Sequence, residues 1–303
     1  MPFVAFHAGA AHTVDIVITS IMGWLAAVNI VVILTTIGLL KKYQRIEMMT
    51  KLFRFGLLFA AFCSLFARAS AAEQSETRVV TIDARVVRVK LDGVIDVKVR
   101  QGDTPALRIT GDKRDMEKLN AAQTGDTLYL DSDNGRGVKV GRSSTRAELT
   151  LPSLRQLISE GVGTTDISGF SGDELELTMD GAGSMKAVID YKVLKASLGG
   201  VGKMHLWLSE NESVELDLRG AGYITLGGRS QLLKATLGGL GGLNAQQFQA
   251  ESVNIDLSGL GNATVHAKSN ATLNLSGLGS VVVYGKPLNR NVTVDGLGKV
   301  SWK

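Results

Sequence analysis

The sequence predicts an all-β fold, a parallel β-solenoid wound in coils of about 19–20 residues. Two observations support this prediction. The motif Gly-[Ala/Val/Leu]-Gly recurs eight times between residues 161 and 298, with 18 to 20 residues from one copy to the next. Between these motifs, apolar residues stand at every second position, which is the periodicity of a strand with one buried face. A fixed period combined with strand alternation is typical of stacked repeats.

The repeats share apolar and polar columns when they are aligned on the first glycine of each motif. From the second copy on, apolar residues stand two and four before this glycine, and four and six after it. Polar residues fill alternate positions, such as Asp217, Thr236 and Asp256 three residues before the glycine. We therefore expect one buried and one exposed face. The residue between the two glycines is apolar in every copy, so from its type we expect it to point inward.

The glycines are predicted to form a corner between two strands of each coil. There the backbone either takes a positive φ or lies so close to the neighbouring coils that a Cβ would collide. The predicted corner glycines are Gly181, Gly183, Gly200, Gly202, Gly220, Gly222, Gly239, Gly241, Gly259, Gly261, Gly277, Gly279, Gly296 and Gly298.

One coil corresponds either to one glycine pair or to two, because the sequence is most similar to itself at a spacing of 39 residues. The column five residues before the glycine favours the shorter coil. In coils of 19 to 20 residues this column alternates between glutamate and lysine, from Glu176 to Lys234. Coils of 39 residues would place like charges on neighbouring strands, which is unfavourable. We therefore predict one coil per glycine pair over residues 151–303.

Residues 72–150 lack the glycine period and are predicted to form a β-rich cap with the first coils. Alternating apolar residues indicate strands around Val89, Val97 and Leu128. Residues 112–122 are expected to form one short helix with Met116 and Leu119 on a common face. Because the end coil of a solenoid exposes a strand edge that can pair with other chains, we expect the cap strands to cover it.

The first 71 residues differ from the rest of the chain and predict export. Residues 1–48 include an uncharged apolar stretch, residues 16–40, and are either a misassigned start or one transmembrane helix. Residues 49–71 have the basic start, apolar run and small final residues of a signal peptide. We expect the chain from Ala72 on in the periplasm or at the surface of a Gram-negative bacterium. It would be anchored in the inner membrane if the helix is real and the signal is uncleaved.

This leader also carries the excess of positive charge. It holds six of the 33 basic residues and two of the 29 acidic ones, so the remaining chain is formally neutral. We therefore expect no nucleic-acid partner, and membrane contact only through the leader. Cys63, the only cysteine, lies in the signal segment, so the exported chain would have neither disulfides nor thiolate chemistry.

Few residues stand in an arrangement that predicts chemistry. Asp217 and Asp256 share an outward column but lie two coils apart, roughly 10 Å by the spacing of strands. His205 and His266 are about three coils apart, so we predict no metal site, no cofactor and no catalytic residues. Exposed aromatic residues stack well on sugars or proteins. The candidate ligand contacts are Trp207, Tyr223, Asp217 and Asp256.

Three segments resemble one protein family. They are "VKLDGVIDVKVRQGDTPALRITGD" from residue 89, "LTLPSLRQLISEGVG" from residue 149 and "VVVYGKP" from residue 281, with the run of glycine pairs between the last two. Over about residues 80–302 the chain resembles the head GIN domain of putative auto-transporter adhesins. The resemblance implies a right-handed, single-stranded parallel β-helix in a secreted or envelope-associated protein, with no established catalytic residues to carry over.

These observations predict a non-enzymatic, exported β-solenoid that acts as a binding, adhesion-like or structural module of the bacterial cell envelope. The expected partner is an envelope glycan or protein, or a second copy that pairs with the uncovered edge of an end coil. The alternative is a β-helix that binds glycans or weakly processes polysaccharides through the outward column of Asp217 and Asp256.

Overall fold

The computed structural model describes residues 75–132 and 145–303, which belong to one compact unit, Glu73–Lys303. These residues form a parallel β-solenoid of about seven turns, hydrogen-bonded as one 17-stranded sheet. The all-β solenoid predicted from the sequence is therefore confirmed. The predicted leader segments, residues 1–48 and 49–71, lie outside the described residues. Within the part of the chain that is described, no helix has the length and hydropathy needed to span a membrane.

Seven short strands and one helical turn precede the regular coils. They are β1 (Ser75–Val80), β2 (Arg88–Asp92), β3 (Asp96–Gln101), β4 (Ala106–Asp112), α1 (Lys113–Met116), β5 (Leu119–Thr124), β6 (Thr127–Ser132) and β7 (Arg146–Leu151). Strands β6 and β7 pair in parallel with β2 and β3 of the first coil. Strands β1, β4 and β5 then close this end through antiparallel pairs. The β-rich cap predicted over the first coil is present.

The helix predicted over residues 112–122 is wrong beyond its first turn. Helix α1 ends at Met116, and Leu119 already begins β5, which pairs antiparallel with β6. Met116 and Leu119 are both buried, but Met116 belongs to the helical turn and Leu119 to strand β5, so they do not share one helix face. Pairing with β6 satisfies the backbone of β5 over six residues, and this tertiary contact outweighs a weak helical pattern.

The regular coils begin with β8 (Gln156–Ser159) and continue through six long strands that each make about one turn. These strands are β9 (Val162–Met179), β10 (Ala182–Leu198), β11 (Val201–Leu218), β12 (Ala221–Leu237), β13 (Leu240–Leu257) and β14 (Leu260–Leu275). The stack ends with β15 (Ser280–Tyr284), β16 (Asn289–Val294) and β17 (Lys299–Trp302). Lys195 lies directly between Glu176 and Glu215 in the parallel ladder. One coil per glycine pair is therefore confirmed.

The core is a continuous stack of apolar side chains inside the coils. Leu177, Ala196 and Leu216 are buried and lie above one another in successive coils. This alternation of large and small residues lets neighbouring layers interdigitate. In the last coil, Val292 and Val294 occupy core columns but remain 40% and 41% exposed, because no further strand covers β16 within the described residues.

Trp302 closes part of this last coil. Its side chain is half-buried against the core, in agreement with its inward column in the sequence. The guanidinium carbon of Arg290 lies 4.4 Å from the centre of the Trp302 ring. This is a cation–π contact between the two side chains.

Each coil also turns at a second place, which we call the opposite bend, exemplified by residues 189–193 in β10. Side chains fill this bend. The Tyr191 hydroxyl donates a 2.6 Å hydrogen bond to the Leu154 carbonyl, and the Asn211 side-chain amide donates one to the Tyr191 carbonyl. Burial raises the pKa of Tyr191 to about 12. The parallel register shifts here in each pair of long strands, for example between Ile189 and Val193.

Candidate functional site

The glycine corner preserves the strand alternation, and this decides which residues face outward. Between β11 and β12, Leu218 and Ile224 are buried, and Gly220 and Gly222 are less exposed than the residues on either side of them. Ala221, which separates the two glycines, is exposed. The expectation that the residue between the glycines points inward is therefore wrong. Alternation with a period of two places it outside, whatever its type.

The glycines are confined by the backbone of the preceding coil. A Cβ on Gly259 would lie 2.9 Å from the carbonyl carbon of Gly238, and one on Gly241 would lie 2.8 Å from that of Gly222. Real Cβ atoms essentially never come this close to another heavy atom. Gly241 also has a φ of 148°, which L side chains rarely adopt. Backbone from one coil thus rests directly on backbone from the next.

The residues between the glycines form an exposed row, which we call the apolar ridge. It consists of Val162, Ala182, Val201, Ala221, Leu240, Leu260, Leu278 and Leu297. Neighbouring members lie directly opposite each other in the ladder from β9 to β14. The valines and leucines are 44% to 85% exposed. With coils about 4.8 Å apart, the row is about 34 Å long.

Sequence reasoning missed this ridge, although the signal was present. The buried columns lie an even number of residues from the first glycine, whereas the residue between the glycines lies one residue from it. Counting the strand period through the corner assigns that residue to the outside.

The ridge has two halves that differ in size and in charge. Its first half contains valine and alanine, and its bordering positions hold two acidic residues, Glu160 and Asp180, and two basic ones, Lys203 and Arg219. The leucine segment, Leu240, Leu260 and Leu278, is bordered by uncharged residues one position beyond the glycines on either side. These are Gly238, Ser258, Ser276, Gly242, Asn262 and Ser280.

A shallow groove of about 560 Å³ runs beside the leucine segment. Its floor is made of small residues, including Gly239, Gly259 and Gly277, because the corner carries no larger side chains there. Arg219 stands at one end of the groove, where its guanidinium lies 2.6 Å from the Asp217 carboxylate. The corner therefore presents a projecting apolar row and a depression next to each other.

The face that precedes the corner is a polar ladder. Lys234 donates a 2.7 Å hydrogen bond to Glu215, which raises the pKa of Lys234. Lys195 forms a 2.7 Å ion pair with Glu174, which raises the pKa of Lys195. Lys195 thus pairs diagonally, rather than with Glu176 beside it in the column. Both lysines are about half exposed, so the ladder is a solvated surface.

The structure does not bring Asp217 and Asp256 together. Thr236 lies between them in the ladder, one coil from each. Asp217 accepts a 3.1 Å hydrogen bond from Arg219, and Asp256 accepts a 2.7 Å hydrogen bond from the Asn274 amide. Each carboxylate therefore has its own neighbour on the polar face.

Trp207 and Tyr223 lie on the other face, in adjacent coils. The six-membered ring of Trp207 covers Gly227, and the Tyr223 ring lies against Gly242, each in the following coil. The two residues are 40% and 42% exposed, so each ring rests on glycine and leaves its other side open. Their columns are four residues apart, roughly 13 Å along the strand. They therefore form two separate platforms on one face.

His205 and His266 belong to the same face, in β11 and β14, three coils apart. Among the described residues, no three histidine, cysteine, aspartate or glutamate side chains gather as a group able to hold a metal ion. The structure brings together rows of side chains along the stack, not a compact cluster of titratable groups.

The fold defines the chain as a parallel β-solenoid that repeats the same exposed rows in successive coils. The sequence matches, over residues 87–287, the family described as "Putative auto-transporter adhesin, head GIN domain". The chain belongs to this family, which confirms the resemblance found in the sequence. The family's description points to an exported or surface protein that binds partners.

Several solved structures share the fold. A "putative adhesin" from Bacteroides fragilis NCTC 9343 is 21% identical, with a TM-score of 0.60, and the match covers 77% of this chain and 98% of that one. A "putative lipid binding protein" from Parabacteroides distasonis ATCC 8503 is 20% identical, with a TM-score of 0.67 and coverages of 76% and 97%. A "putative adhesin" from Parabacteroides merdae ATCC 43184 is 22% identical, with a TM-score of 0.65 and coverages of 77% and 97%. Identities this low show the fold alone. No curated protein matches the sequence.

Proposed function

We propose that the chain is a non-enzymatic, exported binding module of the bacterial cell envelope, which contacts an envelope glycan or protein through the apolar ridge. The observation that carries this proposal is the row of eight exposed apolar residues, one in each coil. Contiguous exposed apolar surface with a polar rim is typical of interaction sites. Membership of an adhesin-like family supports a binding role.

Folding does not account for the ridge. Its leucines are more than half exposed, so they gain little from burial in this unit. The positions that border them hold serine, asparagine or glycine, which shows that the corner accommodates polar residues. A leucine kept in successive coils at an exposed position is explained by contact with another molecule.

The experiment compares binding of the unit Glu73–Lys303 to envelope material from its host. We expect a triple variant, Leu240→Ser, Leu260→Ser and Leu278→Ser, to bind at least about tenfold more weakly than the natural sequence. The matched control is Thr178→Ala, Thr236→Ala and Thr293→Ala on the polar ladder, which should bind within twofold of it. Equal binding by the ridge variant and the natural sequence would contradict the proposal.

Export has its own test. The N-terminal sequence of the protein recovered from cells should begin at Ala72, and the protein should be found in the envelope or periplasmic fraction. Recovery of a cytoplasmic chain with its leader intact would contradict export.

A glycan-binding role is the second candidate, and the glycine-backed rings of Trp207 and Tyr223 favour it. Flat aromatic surfaces of this kind stack on sugar rings. On a glycan array, Trp207→Ala and Tyr223→Ala should then abolish binding that the triple ridge variant retains. If the protein also degraded a polysaccharide, and Asp217→Asn or Asp256→Asn abolished that turnover, the protein would be an enzyme.

A further inference from the structure

We propose that Trp207 and Tyr223 bind the same glycan chain, which contains at least three sugar rings and lies roughly along the strands, across the axis of the stack. The proposal depends on glycan binding, the second candidate function given above. It goes beyond that function in naming the length and the direction of the ligand, and in treating the two aromatic rings as parts of one site.

Each of the two rings lies over a glycine of the following coil. Trp207 stands directly opposite Gly227 in the parallel ladder, and Tyr223 stands directly opposite Gly242. Both glycines are buried, although alternation along the strand places them in outward columns. The rings therefore cover them and lie against the sheet. A ring in this position leaves its outer side free to stack on a flat apolar surface, such as one side of a sugar.

The column between the two rings offers hydrogen-bonding groups without a partner. His205 and Thr225 occupy this column in adjacent coils, and both are partly exposed. Neither side chain forms a hydrogen bond with the part of the chain that the structure describes. Sugar hydroxyls, like those of serine and threonine, both donate and accept hydrogen bonds. A ring, a polar pair and a second ring therefore follow one another as the apolar sides and hydroxyl groups of a glycan do.

The separation of the rings determines the length and direction of the ligand. Their columns are four residues apart, roughly 13 Å along the strand, whereas the coils they belong to are adjacent and about 4.8 Å apart. A line between the rings thus runs mainly along the strands. A pyranose ring is about the size of a phenyl ring, so two directly linked sugars are too short to stack on both residues. At least one further sugar has to lie between them, over His205 and Thr225.

The charges around the rings determine which glycans have to be tested. Trp207 lies between uncharged Val188 and Gly227 in the ladder, whereas Tyr223 has one charged neighbour, Lys203. Neutral and acidic sugars are therefore both compatible with the surface next to the rings. The other charged residues nearby lie in other columns and include both signs. They are Asp166, Lys186, Asp190, Glu210 and Arg229.

Isothermal titration calorimetry tests the proposal on the unit Glu73–Lys303. The solved neighbours consist almost wholly of the part that matches this chain, so the fold forms without a further domain. The probes are β-1,4-linked oligomers of glucose, N-acetylglucosamine and mannuronate, each with one to six sugars. In at least one series, the hexasaccharide should bind about tenfold or more tightly than the disaccharide, because linked contacts reinforce each other. It should bind with one hexasaccharide per chain.

Ring variants show whether both aromatic residues contribute. Trp207→Leu and Tyr223→Leu keep an apolar side chain over the glycine but remove the flat ring. Each should reduce the affinity for the hexasaccharide by about tenfold or more, to that of the disaccharide. The matched control is Tyr129→Leu in the cap strand β6, which is also 42% exposed and should change this affinity less than twofold. The triple leucine variant of the apolar ridge should likewise keep the affinity of the natural sequence.

The other outcomes overturn the proposal in different ways. Two hexasaccharides per chain, or an affinity that does not depend on length, would show two independent contacts and leave glycan binding intact. Absence of binding in all three series would overturn the proposal together with the glycan-binding role. Ring variants that lower the melting temperature but bind glycans normally would show that the rings only cover the glycines. Tighter binding to single-stranded oligothymidylate than to every glycan would also contradict the proposal, because bases stack on aromatic rings as well.

Discussion

In every full coil the chain turns twice, once at the glycine corner beside the apolar ridge and once at the opposite bend. At the corner, Gly183 lies opposite Gly202 and the register runs on without a shift. At the bend, the register shifts and side chains such as Tyr191 and Asn211 fill the space. Differences in coil length of one or two residues are therefore absorbed at the bend. The corner keeps one fixed geometry, and this keeps the exposed ridge in line.

The largest expected effect comes from inserting a single residue. Such insertions test directly whether the corner and the opposite bend differ in their tolerance of coil length. One alanine between Gly259 and Leu260 would move every following side chain to the opposite face, so this variant should fail to fold. One alanine between Ser209 and Glu210, which are both exposed in the bend, should lower the free energy of unfolding by only about 1 kcal/mol. Urea unfolding of both variants gives the answer. Equal effects at the two sites would remove the distinction between corner and bend.

A substitution at the corner should be the next most severe. Gly259→Val places a Cβ 2.9 Å from the carbonyl carbon of Gly238, and the strained backbone should lose about 3 kcal/mol or more of stability. The adjacent exposed change Leu260→Val is the control, with an expected loss below about 0.5 kcal/mol. Thermal unfolding compares the two. A melting temperature for Gly259→Val equal to that of the control would show that the corner is not crowded.

At the opposite bend, Tyr191→Phe should cost about 1 kcal/mol, because it leaves the Leu154 carbonyl without the tyrosine hydroxyl. The effect should also depend on pH. The folded-state pKa of about 12 lies above the usual value of 10, so the folded chain holds the proton longer than the unfolded chain. The stability from Tyr191 is complete below pH 10 and is lost as the pH rises towards 12.

Urea unfolding from pH 8 to 12 measures this slope for the natural sequence and for Tyr191→Phe. The difference in stability between the two should shrink above pH 10. A difference that stays constant across this range would contradict the buried tyrosine at the bend.

The smallest effect is expected on the polar ladder, which belongs to neither turn. Lys234→Ala removes a 2.7 Å ion pair with Glu215, but both side chains are about half exposed and screened by water. Its melting temperature should fall by less than about 2 °C, and this small difference should vanish at high salt. A larger drop that persists at high salt would show that the ladder contributes to the fold.

The sequence was sufficient to predict the coil and its length, because the alternating charges of residues such as Glu176 and Lys195 indicate which strands are neighbours. It was misleading at Leu260, because the apolar side chain suggests a buried position whereas the strand period places this residue outside. It also failed at Leu119, since pairing with β6 is a long-range contact that local spacing does not encode. Lys195 forms its ion pair with Glu174 and not with Glu176, and this depends on side-chain conformation, which the spacing of residues does not determine.

Thiol labelling of single cysteines tests most directly whether alternation continues through the corner. In the unit Glu73–Lys303, whose sequence contains no cysteine, Val201→Cys should react in the folded state nearly as fast as in the unfolded state. Ala187→Cys, at a fully buried position, should react only after unfolding. Protection of the cysteine at position 201 in the folded monomer would contradict the outward ridge and, with it, the continuation of strand alternation through the corner.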